Sequence, residues 1–273
     1  MDRHRFTQVS FGPRWSNVVK YLIIINAAVF VLQEVTGLQY VFARSFGLVP
    51  RAFFAGAVWQ LVTYMFLHGG FWHILFNMFV LWMFGSALEN MWGSREFLRY
   101  YLITGIGGGL CYALFNMGSP IPTIGASGAI YGLLAAYGVL FPNNVIYLYM
   151  VIPIRAKWFA LGIGLIALYS SFVGIGGGIA HLAHLGGMVV GFLYLQRERI
   201  FPALFAGNTS TERHARREMI ARWREVQEMD DLRREVDQLL DKINREGMDS
   251  LSPSERKRLD KASQILREKE NRQ

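Results

Sequence analysis

Six apolar runs occupy most of the first 200 residues of this 273-residue chain. Because an α-helix rises ~1.5 Å per residue, about 20 apolar residues are needed to cross ~30 Å of hydrocarbon. Helical spans are predicted at about residues 18–35, 73–92, 97–115, 127–141, 158–173 and 179–196. The fourth, about 22 Å long, cannot cross the whole core, so its first residue should lie below the membrane surface. The pattern predicts an all-α polytopic membrane protein.

The positive charges lie mainly at one end of these spans and predict how the chain is oriented. Lys and Arg are favoured on the cytoplasmic side of a membrane protein. One side carries Arg3, Arg5, Arg14, Lys20, Arg95, Arg99, Arg155, Lys157, Arg197 and Arg199, and the other carries Arg44 and Arg51. Both termini are therefore expected to be cytoplasmic. The first span lacks an A-x-A-like cleavage site and is expected to remain as a signal anchor.

Beyond the sixth span the chain becomes highly charged. Residues 197–273 hold 18 Lys and Arg against 16 Asp and Glu. We expect a long helix from about residue 212 to 245, a turn at 247–249, and a second helix. Ser252 and Glu255 would cap that second helix, with Pro253 at its first position. The apolar residues that would pack between the helices are Leu232, Val236, Leu239, Leu240, Ile243, Leu259, Ile265 and Leu266.

The chain is therefore predicted to have three parts: a cytoplasmic segment at 1–17, a membrane domain at 18–200 and a cytoplasmic helical hairpin at 201–273. The lipid bilayer is the expected partner of the second part. No nucleic-acid partner is expected, because the nearly balanced charge of the tail does not form a basic face. The hairpin is either a solvated tail or a module for a partner that the sequence does not identify.

Three polar clusters interrupt the apolar spans at one predicted depth. His73 and Asn77 open the second span, Ser127 opens the fourth, and His184 lies near the start of the sixth. With the N-terminus inside, all three spans enter from the outer face, so these side chains should lie at a shared depth. Polar side chains are unfavourable within a bilayer, which makes a functional site the default hypothesis.

Small residues favour close contact between the fourth and sixth spans. Residues of the small-xxx-small type let two helix backbones touch in lipid. The pairs are Gly128 with Gly132 and Gly187 with Gly191. The contact would bring Ser127 to His184, the minimal arrangement for nucleophilic catalysis, because an imidazole can take the hydroxyl proton and return it to the leaving group.

His73 and Asn77, at positions i and i+4, share one helix face. They could donate hydrogen bonds to an oxyanion together with the backbone N–H of Ser127. Alternatively, they could join two spans by an interhelical hydrogen bond. No Asp or Glu accompanies the three clusters, so the predicted catalytic unit is a dyad of Ser127 and His184.

Two other kinds of site are consistent with parts of this pattern. The outward-side histidines raise the alternative of a zinc site, and they are His68, His73, His181 and His184. However, no H-E-x-x-H occurs, and we expect neither a metal nor another cofactor. A transporter or channel lined by His and Asn is the second alternative, although no repeat relates the first three spans to the last three.

In their order along the chain, the clusters resemble the three signature motifs of the rhomboid intramembrane serine proteases. The matching segments are His68-x4-His73-x3-Asn77, Gly125-Ala126-Ser127-Gly128-x2-Tyr131 and Ala183-His184-x2-Gly187-x3-Gly191. The similarity covers roughly residues 15–200. It implies a six-helix rhomboid-like bundle with Ser127 as nucleophile, His184 as base and His73 and Asn77 as oxyanion donors. Tyr131 would be the ring against which His184 stacks, and Gly125, Gly128, Gly187 and Gly191 would support the site.

The resemblance also implies an activity and a location. It implies a serine endopeptidase that cleaves transmembrane protein substrates near the outer face, as a multi-pass protein of the plasma membrane, the inner membrane in bacteria. A pseudoprotease usually lacks the Ser or the His, and this chain has both. The resemblance further places Phe53, Phe54 and Trp59 in a loop partly within the outer leaflet. The family often has Trp-Arg there, where this chain has Trp59-Gln60.

Overall fold

The computed structural model describes residues 16–148, 151–173, 179–200 and 210–270. These residues group into two compact units, one within residues 1–207 and one within residues 208–273. Both units are mainly helical.

The first unit has helical residues at each of the six predicted apolar runs, and further short helices between the first two runs. Its helices are α1 (Asn17–Thr36), α2 (Gln39–Ser45), α3 (Pro50–Phe54), α4 (Gln60–Thr63), α5 (Phe71–Val80), α6 (Ser86–Trp92), α7 (Ser94–Phe115), α8 (Ser127–Leu140), α9 (Ala156–Val173) and α10 (Ile179–Ile200). A π-helical turn at Leu81–Gly85 joins α5 to α6. Among the described residues, α1 and the segment Phe71–Trp92 are long and apolar enough to cross a membrane. The helices Ser127–Leu140 and Ala156–Phe172 are apolar but shorter.

The all-α prediction missed a small sheet between α8 and α9. Strands β1 (Val145–Leu148) and β2 (Ile152–Arg155) pair in an antiparallel ladder. Both are rich in residues that favour strands, and they are too short for a helical period to be read from the sequence. Residues 149–150, between the strands, lie outside the described residues.

Helix α8 lies at the centre of the first unit. Ten of its 14 residues are buried, so neighbouring helices surround it. Helices α7, α8 and α10 pack against one another, and α9 packs against α8 and α10. The outer surfaces of α1, α5 and α9, by contrast, expose apolar side chains. These include Tyr21, Ile24, Ile25, Val31, Leu32, Phe76, Phe79, Leu161, Leu165, Ile166 and Phe172. Such an extensive apolar surface is typical of helices that face lipid.

A buried carboxylate holds the start of α1. Glu89, on α6, is 3% exposed and accepts hydrogen bonds from the backbone N–H groups of Val18 and Val19, both at 2.9 Å. It also accepts one from the Ser94 hydroxyl at 2.6 Å. The first N–H groups of a helix have no intrahelical acceptor, and a negative charge is favoured at a helix N-terminus. Because α1 has no acidic residue in its own first turn, Glu89 caps it from a distant part of the chain.

The second unit is a helical hairpin of α11 (Ser210–Glu246) and α12 (Pro253–Glu270), with a 3-10 turn at Met248–Ser250. Among the described residues of this unit, Leu239, Leu251 and Ala262 are buried apolar side chains. The prediction that Leu240 packs between the helices is wrong, since this side chain is 44% exposed. Successive residues of a helix point about 100° apart, so Leu240 faces away when Leu239 faces inward.

The predicted capping box of the second helix is present. The Ser252 backbone N–H donates to the Glu255 carboxylate at 2.8 Å, and the Glu255 N–H donates to the Ser252 hydroxyl at 3.3 Å. Lys242 forms an ion pair with Glu255 at 3.0 Å across the hairpin. Hydrogen bonds from the Ser252 backbone and hydroxyl, with the Lys242 ammonium, lower the pKa of Glu255 from its ordinary value to about 2. One carboxylate therefore caps α12 and links it to α11.

We predict that Glu89→Ala lowers the free energy of unfolding by about 1–3 kcal/mol, because it leaves buried donors of α1 without an acceptor. Thermal unfolding in detergent would measure the loss. Glu34→Ala is the matched control, since this carboxylate is exposed near the other end of α1, and it should change stability little. Equal stability of the two variants would contradict the capping role.

Candidate active site

The structure brings Ser127 and His184 into hydrogen-bond contact. Ser127 is the first residue of α8, and His184 lies in the second turn of α10. The Ser127 Oγ lies 2.7 Å from the His184 Nε2. The His184 ring also stacks on Tyr131, with 4.2 Å between ring centroids and 9° between ring planes. Tyr131 is one turn beyond Ser127, so a single helix supplies both the hydroxyl and the surface that orients the imidazole.

The second ring nitrogen of His184 has no acidic partner among the described residues. Its Nδ1 is buried and makes no hydrogen bond within the described part of the chain. Glu34 lies near the C-terminal end of α1, but its side chain is exposed. For Nε2 to accept the Ser127 proton, a neutral imidazole must carry its hydrogen on Nδ1. In the part of the chain that the structure describes, no carboxylate completes a Ser-His-Asp triad with Ser127 and His184.

Glycines allow the approach of the helices that carry this pair. A Cβ atom added at Gly187 of α10 would overlap the backbone carbonyl of Gly128 on α8. One added at Gly191 would lie 3.2 Å from the Cα of Gly132. The predicted small-xxx-small contact is therefore present. Sequence reasoning missed that α7 also takes part: a Cβ at Gly108 would lie 2.5 Å from the Ala183 carbonyl oxygen.

His73 lies beside the same site. A Cβ atom built on Gly125 would lie 2.8 Å from the His73 Nε2 and 3.6 Å from the Ser127 Oγ. Both atoms thus border the small space next to Gly125. The Gly69 backbone N–H donates to the His73 Nδ1 at 3.3 Å. Because Nδ1 then acts as acceptor, a neutral ring carries its hydrogen on Nε2, the nitrogen beside that space.

Asn77 lies one turn further along α5 and is buried. Its Nδ2 donates to the His73 carbonyl oxygen at 2.9 Å. This bond lies within one helix, whereas joining two spans would require a partner on another helix. An amide nitrogen carries two hydrogens, so the observed bond uses one of them.

The His181 ring lies next to the His184 ring but is oriented differently. Its ring is 5.9 Å from the His184 ring and nearly perpendicular to it, at 82°. The loop predicted to accompany it, residues 174–178, lies outside the described residues. Among the described residues, no three His, Cys, Asp or Glu side chains form a group suited to a metal ion.

A buried amide that sequence reasoning did not single out, Gln33, positions the backbone of His68 beside His73. Gln33, near the end of α1, is 1% exposed and brackets the backbone of His68. Its Oε1 accepts from the His68 N–H at 3.2 Å, and its Nε2 donates to the His68 carbonyl at 3.4 Å. The His68 ring then meets the His73 ring edge to face, 5.0 Å between centroids. A polar residue inside an apolar span was the available sequence indication of Gln33.

Gln60 fastens the loop between α1 and α5. It is 2% exposed, and its Oε1 accepts from the Val49 N–H at 3.0 Å. Its Nε2 donates to the carbonyl oxygens of Arg44 and Ser45 at 3.3 and 3.4 Å. A neutral amide therefore anchors this loop internally at the position where the family often has Arg. The Trp59 indole adds a bond to the Ser45 carbonyl at 3.0 Å.

The same loop is joined to the segment before Ser127. Leu48 and Thr123 exchange two backbone hydrogen bonds of 2.9 Å, and the Gly125 N–H donates to the Tyr64 carbonyl at 2.9 Å. The Tyr64 hydroxyl in turn donates to the Gly105 carbonyl of α7 at 2.6 Å. These contacts fix the backbone that leads into α8. Sequence reasoning missed Tyr64, and no pattern in the sequence marks it.

The first unit is a helical bundle with a lipid-compatible apolar surface, and a serine hydroxyl and a histidine ring meet near the ends of two of its helices. These features are those of a membrane-integral protein with a candidate active site. The rhomboid domain family model matches residues 55–197, more than half of the chain. The chain therefore belongs to the rhomboid family. A second match, to a family of unknown function called DUF6576, covers residues 227–265 in the helical hairpin.

The relatives include bacterial and organellar proteins. The chain is 31% identical over 199 residues to Rhomboid protease GluP of Bacillus subtilis, covering 70% of this chain and 37% of that protein. It is 30% identical over 209 residues to Rhomboid protein 1, mitochondrial, of Saccharomyces cerevisiae, covering 69% and 55%. With RHOMBOID-like protein 1 of Arabidopsis thaliana, identity is 38% over 137 residues, covering 50% and 33%. The chain thus spans roughly a third to a half of the length of these relatives.

We predict that Gly125→Ala slows the reaction of Ser127 with a fluorophosphonate probe by about 10²-fold, the usual effect of losing one oxyanion donor. The backbone here has φ +125°, which disfavours any side chain, and the new methyl group would displace the His73 ring. Gly118→Ala is the matched control: its φ is +80°, but its Cβ would meet nothing within 4 Å. Both variants should lose some thermal stability, and Gly118→Ala alone should keep its reactivity. If Gly125→Ala reacted with the probe as fast as the unchanged protein, the position of the His73 ring would have no role in the reaction of Ser127.

Proposed function

We propose that this protein is an intramembrane serine endopeptidase that cleaves transmembrane protein substrates with a Ser127–His184 dyad. The observation that carries the proposal is the 2.7 Å contact between the Ser127 Oγ and the His184 Nε2, with His184 stacked on Tyr131. Membership of the rhomboid family and the protease names of relatives such as GluP support it.

In this mechanism His184 acts as general base and then as general acid. Its Nε2 takes the proton of Ser127 while the Oγ attacks the carbonyl carbon of the scissile peptide bond. The tetrahedral intermediate collapses when the imidazolium returns that proton to the leaving amine. The acyl-enzyme forms with loss of the first product. Water, activated by the same Nε2, then releases the acid and restores the serine hydroxyl.

The negative oxygen of the intermediate would lie in the space beside Gly125. The His73 Nε2–H borders that space, and the N–H groups in the first turn of α8 have no acceptor in their own helix. Positively polarised groups at a helix N-terminus stabilise a developing oxyanion. Asn77 is the proposed third donor, through the amide hydrogen that His73 does not use.

The substrate class follows from the surroundings of the dyad. The helices around α8 expose apolar side chains, so a partner that reaches Ser127 from the side would itself be apolar. A transmembrane helix hydrogen-bonds its own carbonyl groups, and a protease must free one of them. Segments with helix-breaking residues should therefore be the better substrates.

We further propose a six-span topology with both termini cytoplasmic and with Ser127 near the outer face of a plasma membrane, the inner membrane in bacteria. Segment 1–17, membrane domain 18–200 and tail 201–273 would be its parts. The asymmetric distribution of Lys and Arg supports this orientation.

An accessibility experiment tests the orientation. In intact cells, an impermeant thiol reagent should reach the cysteine of Gly118→Cys but not that of Asn143→Cys, and the reverse result would contradict the orientation.

Probe labelling and turnover of a model transmembrane substrate test the dyad. Ser127→Ala and His184→Ala should each abolish turnover, and the double variant should be no worse than either single one, because the pair acts as a unit. Ser127→Ala should also lose all probe labelling. His181→Ala is the control on the same helix and should keep most activity. Essential His181 with dispensable His184 would overturn the assignment.

The same assays distinguish the role of the proposed oxyanion donors, His73 and Asn77, from that of the dyad. His73→Ala and Asn77→Ala should each lower turnover by about 10²-fold, the usual effect of removing one oxyanion donor. The backbone N–H groups of α8 remain in both variants, so activity should not vanish. Unchanged turnover in both would assign these residues a purely structural role.

A further inference from the structure

The β1–β2 hairpin leaves the bundle at the end of α8 opposite Ser127. Its base is closed by two backbone hydrogen bonds, from Ala156 N–H to the Asn144 carbonyl at 2.8 Å and from Lys157 N–H to the Pro142 carbonyl at 3.2 Å. The hairpin is therefore fixed to the ends of both α8 and α9. At ~1.5 Å per residue, α8 separates it from Ser127 by about 20 Å.

The strand register sorts the side chains of the hairpin into two faces. Val145 pairs with Arg155 and Tyr147 pairs with Pro153, so these four lie on one face. The other face carries Ile146, Leu148, Ile152 and Ile154. Both faces are thus largely apolar. A two-stranded hairpin in water is marginal at best and normally has at least one polar face.

The described residues of the first unit leave the first of these faces largely uncovered. Val145 is 50% exposed and Tyr147 is 63% exposed, while Pro153 and Arg155 are exposed beside them. At the start of α9, Trp158 is 58% exposed, and the Lys157 Nζ lies 5.4 Å from the centre of its ring. The surface combines aliphatic and aromatic groups with two cations.

This combination matches the boundary between lipid headgroups and acyl chains. Tyr and Trp favour that boundary because one end of each ring is apolar and the other polar. Residues 141–158 contain Arg155 and Lys157 and no Asp or Glu, so the segment is suited to anionic headgroups. The continuity of the hairpin with α8 and α9 places it at the end of those helices.

We propose that the β1–β2 hairpin is an interfacial membrane anchor. The face of Val145, Tyr147 and Pro153 lies at the headgroup level of the leaflet opposite the dyad, and Arg155 and Lys157 bind the phosphates of anionic lipids. The anchor holds one end of α8 at the membrane surface. Because α8 is about 21 Å long and the hydrocarbon core about 30 Å thick, Ser127 is thereby held below the other surface. The inference rests on the membrane orientation of the proposed function.

Fluorescence quenching in lipid nanodiscs, whose two faces are both open to water, tests the anchor. In the full chain with Cys111→Ala, Tyr147→Cys carries an environment-sensitive fluorophore. Nitroxide-labelled phosphatidylcholine should quench it strongly, and aqueous iodide should quench it weakly. Ser254→Cys, an exposed position in the second unit, is the control and should show strong quenching by iodide.

Lipid charge tests the role of the two cations. Adding phosphatidylglycerol to the nanodiscs should increase the protection of the Tyr147→Cys label from iodide. Changing Arg155→Gln and Lys157→Gln together should remove that increase while leaving the protection in pure phosphatidylcholine. An equal response to phosphatidylglycerol in both proteins would overturn the assignment of headgroup binding to these cations.

Two other results would overturn the anchor. Iodide quenching as strong as that of the Ser254→Cys control would show that the face lies in water. Protection from both quenchers would show that protein covers it. Fluorophosphonate labelling of Ser127 in the same samples separates the two proposals. A reactive serine with a water-exposed hairpin refutes the anchor alone, whereas an embedded hairpin with an unreactive serine refutes only the enzyme.

Discussion

The contact of the α8 and α10 backbones is the constraint on which the site depends. No side chain can stand at Gly187, because the carbonyl of Gly128 already fills that place. The helices meet at this close range directly after Ser127 on α8 and about one turn beyond His184 on α10, and a hydrogen bond of 2.7 Å tolerates little change in their separation. Helix α7 completes the junction through Gly108. In lipid, where no hydrophobic force drives helices together, such close packing contributes to their association together with interhelical hydrogen bonds and lipid entropy.

Features with a local or periodic origin could be predicted from the sequence. The apolar runs indicated where helices lie, the glycine pairs indicated which faces touch, and the Ser252–Glu255 capping box was recognisable from four residues. The residues at the dyad were recognisable because polar groups are rare in apolar spans. The resemblance supplied the stacking of His184 on Tyr131, which spacing alone did not give.

The features that were missed depend on partners far apart in the chain. Glu89 caps a helix some 70 residues before it, and Gln60 bonds backbone groups whose positions exist only after folding. The Tyr64 hydroxyl finds a carbonyl on α7. None of these hydrogen bonds produces a periodic pattern in the amino-acid sequence. The β1–β2 ladder was missed because four-residue strands beside a long apolar helix are too short to show their own period.

The stacking of His184 on Tyr131 bears on the speed of the proposed reaction. A carboxylate usually stabilises the imidazolium that forms during acyl transfer, and the Nδ1 of His184 has no such partner among the described residues. The face of the phenol ring carries negative electrostatic potential, so it can stabilise that cation, although more weakly than an ion pair would. In the proposed enzyme, the resting site would then hold no permanent charge within the bilayer, and acyl transfer would be slower than in a site where a carboxylate supports the histidine.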